Sequence, residues 1–139
     1  MSNSLVIIPT YNEKENVVKM LETVMALTPT FDVLIVDDGS PDGTSTLVKS
    51  VALKFDGRIN ILEREGKQGL GTAYIAGFKW ALEKDYDYIF EMDCDFSHDP
   101  NDLIRLKEAC IAGADVAVGS RNVKGGGVEN WPLGRRLIS

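Results

Sequence analysis

The chain has 139 residues, a length that fits one domain with a substantial hydrophobic core. Apolar residues make up 44% and charged residues 26% of it, which argues against a disordered chain. The 15 Lys and Arg residues against 21 Asp and Glu residues leave a formal net charge of −6 at pH 7, which argues against nucleic acid as the main partner. An acidic domain that binds anions needs a local cation.

Short β-branched runs alternate with amphipathic stretches along the chain. The runs are nearly unbroken, as expected for strands buried on both faces, and they occupy residues 4–9, 32–37, 59–62, 87–93 and 115–119. The amphipathic stretches predict four helices. The first has an apolar face from Val17 to Met25, the second spans 44–55, the third spans about 71–84, and the fourth begins after Pro100.

This alternation predicts an α/β fold with an open, mostly parallel sheet and helices on both faces. Ligands bind such sheets outside the carboxyl ends of the strands. Here those ends are polar and carry the segments PTYNE, VDDGSPDGT, EMDCDFSHD and VGSRN. The glycine-rich run KGGGVENWPLGRR has no predicted strand or helix after it, so the sequence predicts a chain that is cut short at its C-terminus.

Cysteine and histidine usage argues against a zinc site. Cys94 and Cys110 form no CxxC pair, and His98 is the single histidine. We find neither a secretory signal nor an apolar run long enough to cross a bilayer. We therefore expect two free structural thiols in a reduced, cytoplasmic setting.

The glycines of GKQGLGTAY suggest a nucleotide-binding loop, but the pattern does not fit. The GxGxxG spacing fails at Tyr74, the segment follows the third predicted strand, and it lacks the Lys-Ser/Thr ending of a P-loop. We interpret it as a flexible turn before a helix.

Asp93 and Asp95 stand one residue apart where the fourth predicted strand gives way to a turn. Alternation along a strand would point both carboxylates to one side, so a proton or a bound cation must relieve their repulsion. Mg²⁺ is commonly held by one or two carboxylates together with substrate phosphates. We favour a metal site over the alternative of solvated turn acids; for Asp99, before Pro100, we favour a helix cap.

A second acid pair, Asp37 and Asp38, ends the second predicted strand in IVDDGSPDGT. An acid at the tip of a strand beside a nucleotide pocket can accept hydrogen bonds from a base or a ribose. Ser40, Asp42 and Thr44 can cap the following helix.

In PTYNE, after the first predicted strand, Tyr11 offers a ring face and Glu13 a carboxylate to the same ligand. The alternative is an ordinary strand-to-helix turn with Asn12 as the N-cap.

Six segments occur in one order across nearly the whole chain: IIPTYNEKENV, IVDDGSPDGT, GKQGLGTAYIAGF, MDCDFSHDP, VGSRNVKGGGVENW and RRLIS. Together they resemble the family 2 glycosyltransferases, and within them the dolichyl-phosphate (polyprenyl-phosphate) mannose synthase type. The resemblance implies a Rossmann-like nucleotide-diphospho-sugar transferase (GT-A) fold, with 1–139 as the nucleotide-sugar-binding portion of a single domain. It also implies transfer of a mannosyl or related hexosyl group from a GDP-sugar, GDP-mannose by default, to a polyprenyl or dolichyl phosphate.

The resemblance also implies roles for individual residues. Asp95 would be the principal ligand of Mg²⁺ or Mn²⁺, helped by Ser97, and Asp95 and Arg121 would be catalytic. The nucleoside, diphosphate and acceptor phosphate would be bound by Pro9, Tyr11, Glu13, Val36, Asp38, Asp93, Cys94, Asp95, Arg121, Arg135 and Ser139. Arginine suits phosphate because its planar fork binds two oxygens at once. For Arg135 and Arg136 the alternative is a solvated basic tail.

Two features depart from the family pattern. Cys94 stands between the acids where the family usually has alanine, a small change in volume that adds an oxidisable thiol. The family also continues well past this length, with late basic residues over the diphosphate and any membrane-attaching helices. We therefore expect the full-length protein to contact the cytoplasmic face of a membrane peripherally.

The implied reaction is an inverting displacement by the acceptor phosphate, which is already ionised at neutral pH because its second pKa is about 6.

Other functional classes of protein remain open. One is a non-catalytic nucleotide-sugar binding module. Another is a DxD phosphohydrolase with Asp93 as nucleophile, although that motif belongs on a first strand. Nucleotidyltransferases carry a glycine-rich loop where this chain has PTYNE. The sequence alone does not identify the sugar or the nucleotide of the donor.

Overall fold

In the computed structural model the described residues are 3–28, 30–66, 69–96 and 99–111, together with the backbone of 116–120, 127–131 and 137–138. The strands are β1 Ser4–Thr10, β2 Asp32–Asp37, β3 Ile59–Glu63, β4 Tyr88–Glu91, β5 Val116–Ser120, β6 Gly127–Trp131 and β7 Leu137–Ile138. The helices are α1 Val17–Met25, α2 Thr44–Ala52, α3 Leu70–Leu82 and α4 Asp102–Ile111.

These strands form one sheet in the order β3-β2-β1-β4-β7-β5-β6. Neighbours are parallel except for β5 with β6, so the prediction of an open, mostly parallel sheet is confirmed. The chain runs outward from β1 through β2 to β3 and then returns to the other side of β1 as β4. In open α/β sheets such a reversal of strand order marks the ligand crevice.

Helices cover both faces of the sheet, as predicted. One face packs against α1, α2 and α4, and the other packs against α3. Strand β1 shows the division, because Val6 and Ile8 belong to the first layer and Leu5 and Ile7 to the second, all fully buried. Burial on both sides explains why the strands read as unbroken apolar runs.

Helix α3 approaches β1 very closely at Gly77. A Cβ atom added to Gly77 would lie 2.6 Å from Cγ2 of Ile7, so the absence of a side chain is what permits the contact. This packing holds α3 against the centre of the sheet, with its first turn at the carboxyl end of the strands.

Strand β4 is shorter than predicted. It ends at Glu91, whereas the sequence predicts a strand over 87–93. Asp93 and Asp95 therefore follow the strand, and simple strand alternation does not place them.

The last part of the chain differs most from the prediction, which has no strand or helix after the glycine-rich run. Strand β6 lies within that run, antiparallel to β5, and β7 follows it and pairs with both β4 and β5. The pattern missed them because GVENW has little apolar alternation and β7 has only two residues.

Two helices end earlier than predicted, α2 at Ala52 and α3 at Leu82. Beyond each end, backbone N–H groups bond to the carbonyl three residues earlier, as from Phe55 to Ala52 at 3.2 Å and from Lys84 to Ala81 at 3.0 Å. Such tight turns replace helical pairing at a helix end. Within the described ranges, the helices are too short or too polar to cross a bilayer.

Candidate functional site

A cavity of about 310 Å³ opens at the carboxyl ends of β1, β2 and β4. Its wall also includes the start of α3, and the lining residues are Pro9, Thr10, Tyr11, Glu13, Asp38, Gly69, Ala73, Asp93, Cys94 and Asp95. The cavity thus lies at the point of reversed strand order where a parallel sheet is expected to bind its ligand.

The cavity wall is acidic. Glu13, Asp38, Asp93 and Asp95 line it, and the described lining residues include no lysine or arginine. The effect is visible at Cys94, where burial, followed by the charges of Glu13, Asp95 and Asp93, raises the pKa of the thiol to about 12. An anionic ligand would be repelled here unless a cation accompanied it.

Asp37 joins the ends of β1 and β2. Its buried carboxylate accepts hydrogen bonds from the hydroxyl of Thr10 at 2.7 Å and from the hydroxyl of Ser40 at 2.6 Å. The Ser40 oxygen accepts a further bond from the backbone N–H of Asn12 at 2.9 Å. Asp37 therefore holds the loop that carries Tyr11 into the cavity wall.

Helix capping near the site differs from the prediction. The N-cap of α1 is Asn16, whereas Asn12 lies earlier with a φ of 55°, a left-handed conformation that asparagine tolerates. The N-cap of α2 is Gly43, without a side-chain capping bond, so the prediction that Ser40, Asp42 and Thr44 cap this helix is wrong; Asp42 instead accepts a hydrogen bond from the backbone N–H of Thr44 at 3.0 Å, just before the helix. The hydroxyl of Thr44 also accepts one from the N–H of Glu13 at 3.1 Å, which places Glu13.

Asp38 is held by an arginine that the sequence analysis does not assign to the site. Nε of Arg64 donates to Oδ1 at 2.7 Å and Nη2 donates to Oδ2 at 2.9 Å, so one guanidinium binds both carboxylate oxygens. The side chains of Arg64 and Asp38 are only 12% and 7% exposed. Asp38 and Arg64 directly follow Asp37 and Glu63, the last pair between β2 and β3, but that register is a property of the structure and could not be read from the sequence.

Asp93 is held by Tyr74, which the sequence analysis also omits. The hydroxyl of Tyr74 donates to Oδ1 of Asp93 at 2.9 Å. Burial, then the charge of Asp93 and this hydrogen bond, raise the pKa of Tyr74 well above its ordinary value, so the hydroxyl keeps its proton. Burial and the charge of Asp93 likewise raise the pKa of Glu91. No sequence pattern pointed to a contact between α3 and the acid pair.

Seven of the residues assigned by resemblance come together in the cavity wall: Pro9, Tyr11, Glu13, Asp38, Asp93, Cys94 and Asp95. Val36 lies instead in the core layer beneath α3, fully buried. The other assigned residues lie outside the described residues, and their roles stay predictions: Ser97, Arg121, Arg135 and Ser139. The alternative of a solvated basic tail at Arg135 and Arg136 lies there too.

Two further predictions are confirmed. Cys94 and Cys110 are free, buried thiols. Asp99 accepts a hydrogen bond from the backbone N–H of Asn101 at 2.9 Å just before α4. The bonds from Asn101 lower the pKa of Asp99, as expected for a helix-capping acid.

The cavity offers a hard divalent cation the oxygen donors that it prefers, from Asp93 and Asp95 with Glu13 in the same wall. Among the residues that the structure describes, no group of three or more His, Cys, Asp and Glu side chains is arranged to hold a metal ion. Two carboxylates completed by the phosphates of a ligand are nevertheless a usual arrangement for Mg²⁺, and the acidic wall fits a cation.

A sequence profile described as "Glycosyl transferase family 2" matches residues 5–138. The chain belongs to the family 2 glycosyltransferases. This glycosyltransferase is 50% identical over 136 residues to a polyprenol monophosphomannose synthase of Mycolicibacterium smegmatis, covering 98% of the chain and 51% of that protein. It is also 50% identical over 135 residues to an undecaprenyl-phosphate mannosyltransferase of Micrococcus luteus, covering 97% of the chain and 55% of that protein. The chain thus spans about half the length of these relatives.

Solved structures confirm that this glycosyltransferase has the GT-A fold. A mannosyltransferase from Pyrobaculum calidifontis, solved with GDP-Man and Mn²⁺, superposes with a TM-score of 0.71 at 22% identity, covering 84% of this chain and 34% of that one. A glucosyl-3-phosphoglycerate synthase from Mycobacterium tuberculosis, solved with Mn²⁺ and UDP, superposes with a TM-score of 0.64 at 17% identity. The match covers 84% of this chain and 42% of that one.

Proposed function

We propose that this glycosyltransferase moves a mannosyl or related hexosyl group from a GDP-sugar, most simply GDP-mannose, to a polyprenyl or dolichyl phosphate at a membrane surface. In this proposal 1–139 is the donor-binding portion of a single domain, and Mg²⁺ or Mn²⁺ is held by Asp95. The observation that carries the proposal is the acidic cavity at the reversal of strand order, in a chain half identical to enzymes named for polyprenyl-phosphate mannosyl transfer.

The cavity has two ends with different chemistry. At one end Tyr11, a residue that is 37% exposed, offers its ring for stacking on a base, and Asp38 offers a carboxylate as hydrogen-bond acceptor. At the other end Asp93 and Asp95 face the ribose and the diphosphate. Tyr74 keeps Asp93 in place through its hydrogen bond of 2.9 Å.

In the proposed reaction an oxygen of the acceptor phosphate forms a bond to the anomeric carbon while the bond from that carbon to the diphosphate oxygen breaks, which inverts the configuration. The acceptor oxygen needs no general base, because a phosphate monoester has its second pKa near about 6. A bound divalent ion supplies charge stabilisation for the departing diphosphate. Arg121, Arg135 and Ser139 are expected to contact donor and acceptor phosphates.

Calorimetric titration with GDP and with UDP, each with and without Mn²⁺, tests the donor site, with Asp95→Ala as the variant. We expect GDP to bind in the presence of Mn²⁺ and the metal-dependent part of the affinity to disappear in Asp95→Ala. Binding of neither nucleotide, or equal binding by the variant, would contradict the proposal.

A transfer assay with GDP-mannose and a polyprenyl phosphate separates an enzyme from a binding module. Formation of the lipid-linked sugar supports the proposal, whereas donor binding without transfer or donor hydrolysis supports the binding module. A covalent phosphate on Asp93 would instead indicate a phosphohydrolase.

A further inference from the structure

Two backbone conformations beside the cavity are uncommon for residues that carry a side chain. In the described part of the chain, Asn12 and Phe96 are the non-glycine residues with a positive φ, at 55° and 60°. Each directly follows a residue of the cavity wall, Tyr11 after β1 and Asp95 beyond β4. The left-handed conformations thus occur where the chain presents a side chain to the cavity.

This conformation costs more at Phe96 than at Asn12. Asparagine is among the residues that adopt it most readily, whereas in a bulky residue the Cβ atom crowds the following carbonyl oxygen. The backbone N–H of Asn12 is also bonded to the side-chain oxygen of Ser40 at 2.9 Å. Strain of the kind at Phe96 persists only where the surrounding structure enforces it.

The aromatic ring of Phe96 supplies this restraint. The side chain packs against the core layer that includes α1 and α4. Nζ of Lys19 on α1 lies over the ring, 5.4 Å from its centroid, a distance at which an ammonium group is attracted to the ring face. Contacts with the core and with Lys19 therefore offset the cost of the backbone conformation.

The conformation of Phe96 sets the direction of the chain at Asp95. Cys94, on the other side of this acid, is 2% exposed and belongs to the same core layer. Asp95 itself is exposed and lines the cavity. Two anchored neighbours thus hold the acid between them. A change of φ at Phe96 would rotate the peptide group that joins it to Asp95, and with it the direction of the carboxylate.

We propose that Phe96 is a positioning residue whose ring holds a strained left-handed turn and thereby keeps Asp95 directed into the cavity, toward the divalent ion of the donor complex. Phe96 does not line the cavity, so its effect on a ligand passes through Asp95. This inference rests on the proposed donor site.

The strain predicts an unusual order of variants. In Phe96→Ala the ring is lost but the Cβ penalty stays, so the left-handed conformation is disfavoured about tenfold. The apparent affinity of a ligand that needs this conformation falls with the fraction of molecules that adopt it. Phe96→Gly removes the ring and the penalty together, because glycine adopts a positive φ readily.

The test is calorimetric titration with GDP, with and without Mn²⁺, for wild type, Phe96→Ala and Phe96→Gly. We expect the Mn²⁺-dependent affinity to fall about tenfold in Phe96→Ala and to stay within about threefold of wild type in Phe96→Gly. Affinity for GDP without Mn²⁺ should be equal in all three. A residue that only packs would give the opposite order, because glycine loses more conformational freedom on folding than alanine.

Phe55 provides the matched control. It is also a partly buried phenylalanine packed against the same core layer, but its φ is not positive and it does not line the cavity. Phe55→Ala and Phe55→Gly should leave the Mn²⁺-dependent affinity unchanged. In the Asp95→Ala background, Phe96→Ala should change GDP affinity little, because the acid through which it acts is gone.

Several outcomes would overturn the inference. If Phe96→Ala binds like wild type, or if Phe96→Gly binds no better than Phe96→Ala, the turn does not position Asp95. If affinity with and without Mn²⁺ falls by one factor, the role of Phe96 is structural only. In these cases the proposed donor site survives, whereas a wild type without Mn²⁺-dependent binding of GDP overturns both.

Phe96→Val and Phe96→Asn give a second test that does not require Phe96→Ala to fold. Valine keeps an apolar side chain but is β-branched and unsuited to a positive φ, whereas asparagine is polar and adopts it readily. We expect Phe96→Asn to retain more Mn²⁺-dependent affinity than Phe96→Val, and the opposite order refutes the inference. Circular dichroism checks that each variant is folded.

Discussion

The hydroxyl of Tyr74 on α3 donates a hydrogen bond of 2.9 Å to Oδ1 of Asp93, beyond the end of β4. A helix that covers one face of the sheet thereby holds a carboxylate at the ends of the strands. The same helix is packed against β1 through Gly77, so the position of the Tyr74 hydroxyl is set by the core. Core packing and the geometry of the cavity are thus linked through one side chain.

Tyr74→Phe is expected to weaken binding of GDP with Mn²⁺ about tenfold, because the charged carboxylate of Asp93 loses the hydrogen bond that the Tyr74 hydroxyl donates, and with it a fixed orientation. The phenyl ring fills the same space, so the thermal midpoint should change little. Calorimetric titration and thermal unfolding measure the two effects separately.

Tyr86→Phe is the matched control for this prediction. Its hydroxyl donates to Oδ2 of Asp32 at 2.8 Å, in a tyrosine–aspartate pair that does not line the cavity. Equal losses of affinity in Tyr74→Phe and Tyr86→Phe would show that the contact with Asp93 has no specific role.

Glu91→Gln is expected to raise the thermal midpoint at about pH 8. The folded-state pKa of Glu91 is raised above its ordinary value by burial and by Asp93. Above both pKa values the folded chain carries a disfavoured charge, and below the unfolded-state pKa both states are protonated and the penalty is absent. The gain from glutamine should therefore be full at about pH 8 and vanish as the pH falls below about 4.5.

Thermal unfolding of wild type and Glu91→Gln across this pH range checks the prediction. Glu83→Gln, at an exposed position after α3, is the control for loss of one negative charge. A gain that stays constant from about pH 8 to about pH 4 would contradict the role assigned to ionisation.

Gly77→Ala is expected to destabilise the fold by about 1–3 kcal/mol, because the added methyl group overlaps Ile7 in a packed core. Gly71→Ala in the same helix has no atom within 4 Å of the added Cβ and should be neutral or stabilising by up to about 1 kcal/mol. Denaturant unfolding measures both. Equal free energies of unfolding for the two variants would refute the close contact of α3 with β1.

Cys94→Ala is expected to leave nucleotide affinity unchanged and to cost about 1 kcal/mol of stability, since a buried sulfur is lost from the core. Cys110→Ala, buried in the same layer but not lining the cavity, is the control and should show a similar loss. A change of affinity in Cys94→Ala alone would show that the thiol itself contacts the ligand.

The parts of this fold that could be predicted from the sequence are those set by periodicity. Strand β2, Asp32–Asp37, matches its prediction because six consecutive buried residues in a β-branched run have one consistent interpretation. Tyr11, Asp38 and Asp95 were brought together correctly because parallel strands place their carboxyl ends at one edge. Backbone topology alone was sufficient for these assignments.

The features that could not be predicted from the sequence depend mostly on contacts between different strands and helices. Arg64 and Tyr74 contact acids from a neighbouring strand and from a helix, and neither contact leaves a pattern at fixed spacing. Val36 was assigned to the site by the resemblance to the family, yet it lies in the core with Leu34, two residues earlier on the same strand. Strands β6 and β7 were missed because they are stabilised by pairing rather than by an apolar pattern of their own.

The insertion of β7 between β4 and β5 affects how the sheet can assemble during synthesis. The β5–β6 hairpin meets the rest of the sheet through β7, whose two residues are made last of the seven strands. Strands β1 to β4, including the pairing of Leu5 with Ile89, are complete in the chain before β7 is made, whereas Ile89 can pair with Leu137 only after the chain has been synthesised up to β7. The half of the sheet that carries the cavity is thus expected to fold first, and the hairpin to dock as a later step.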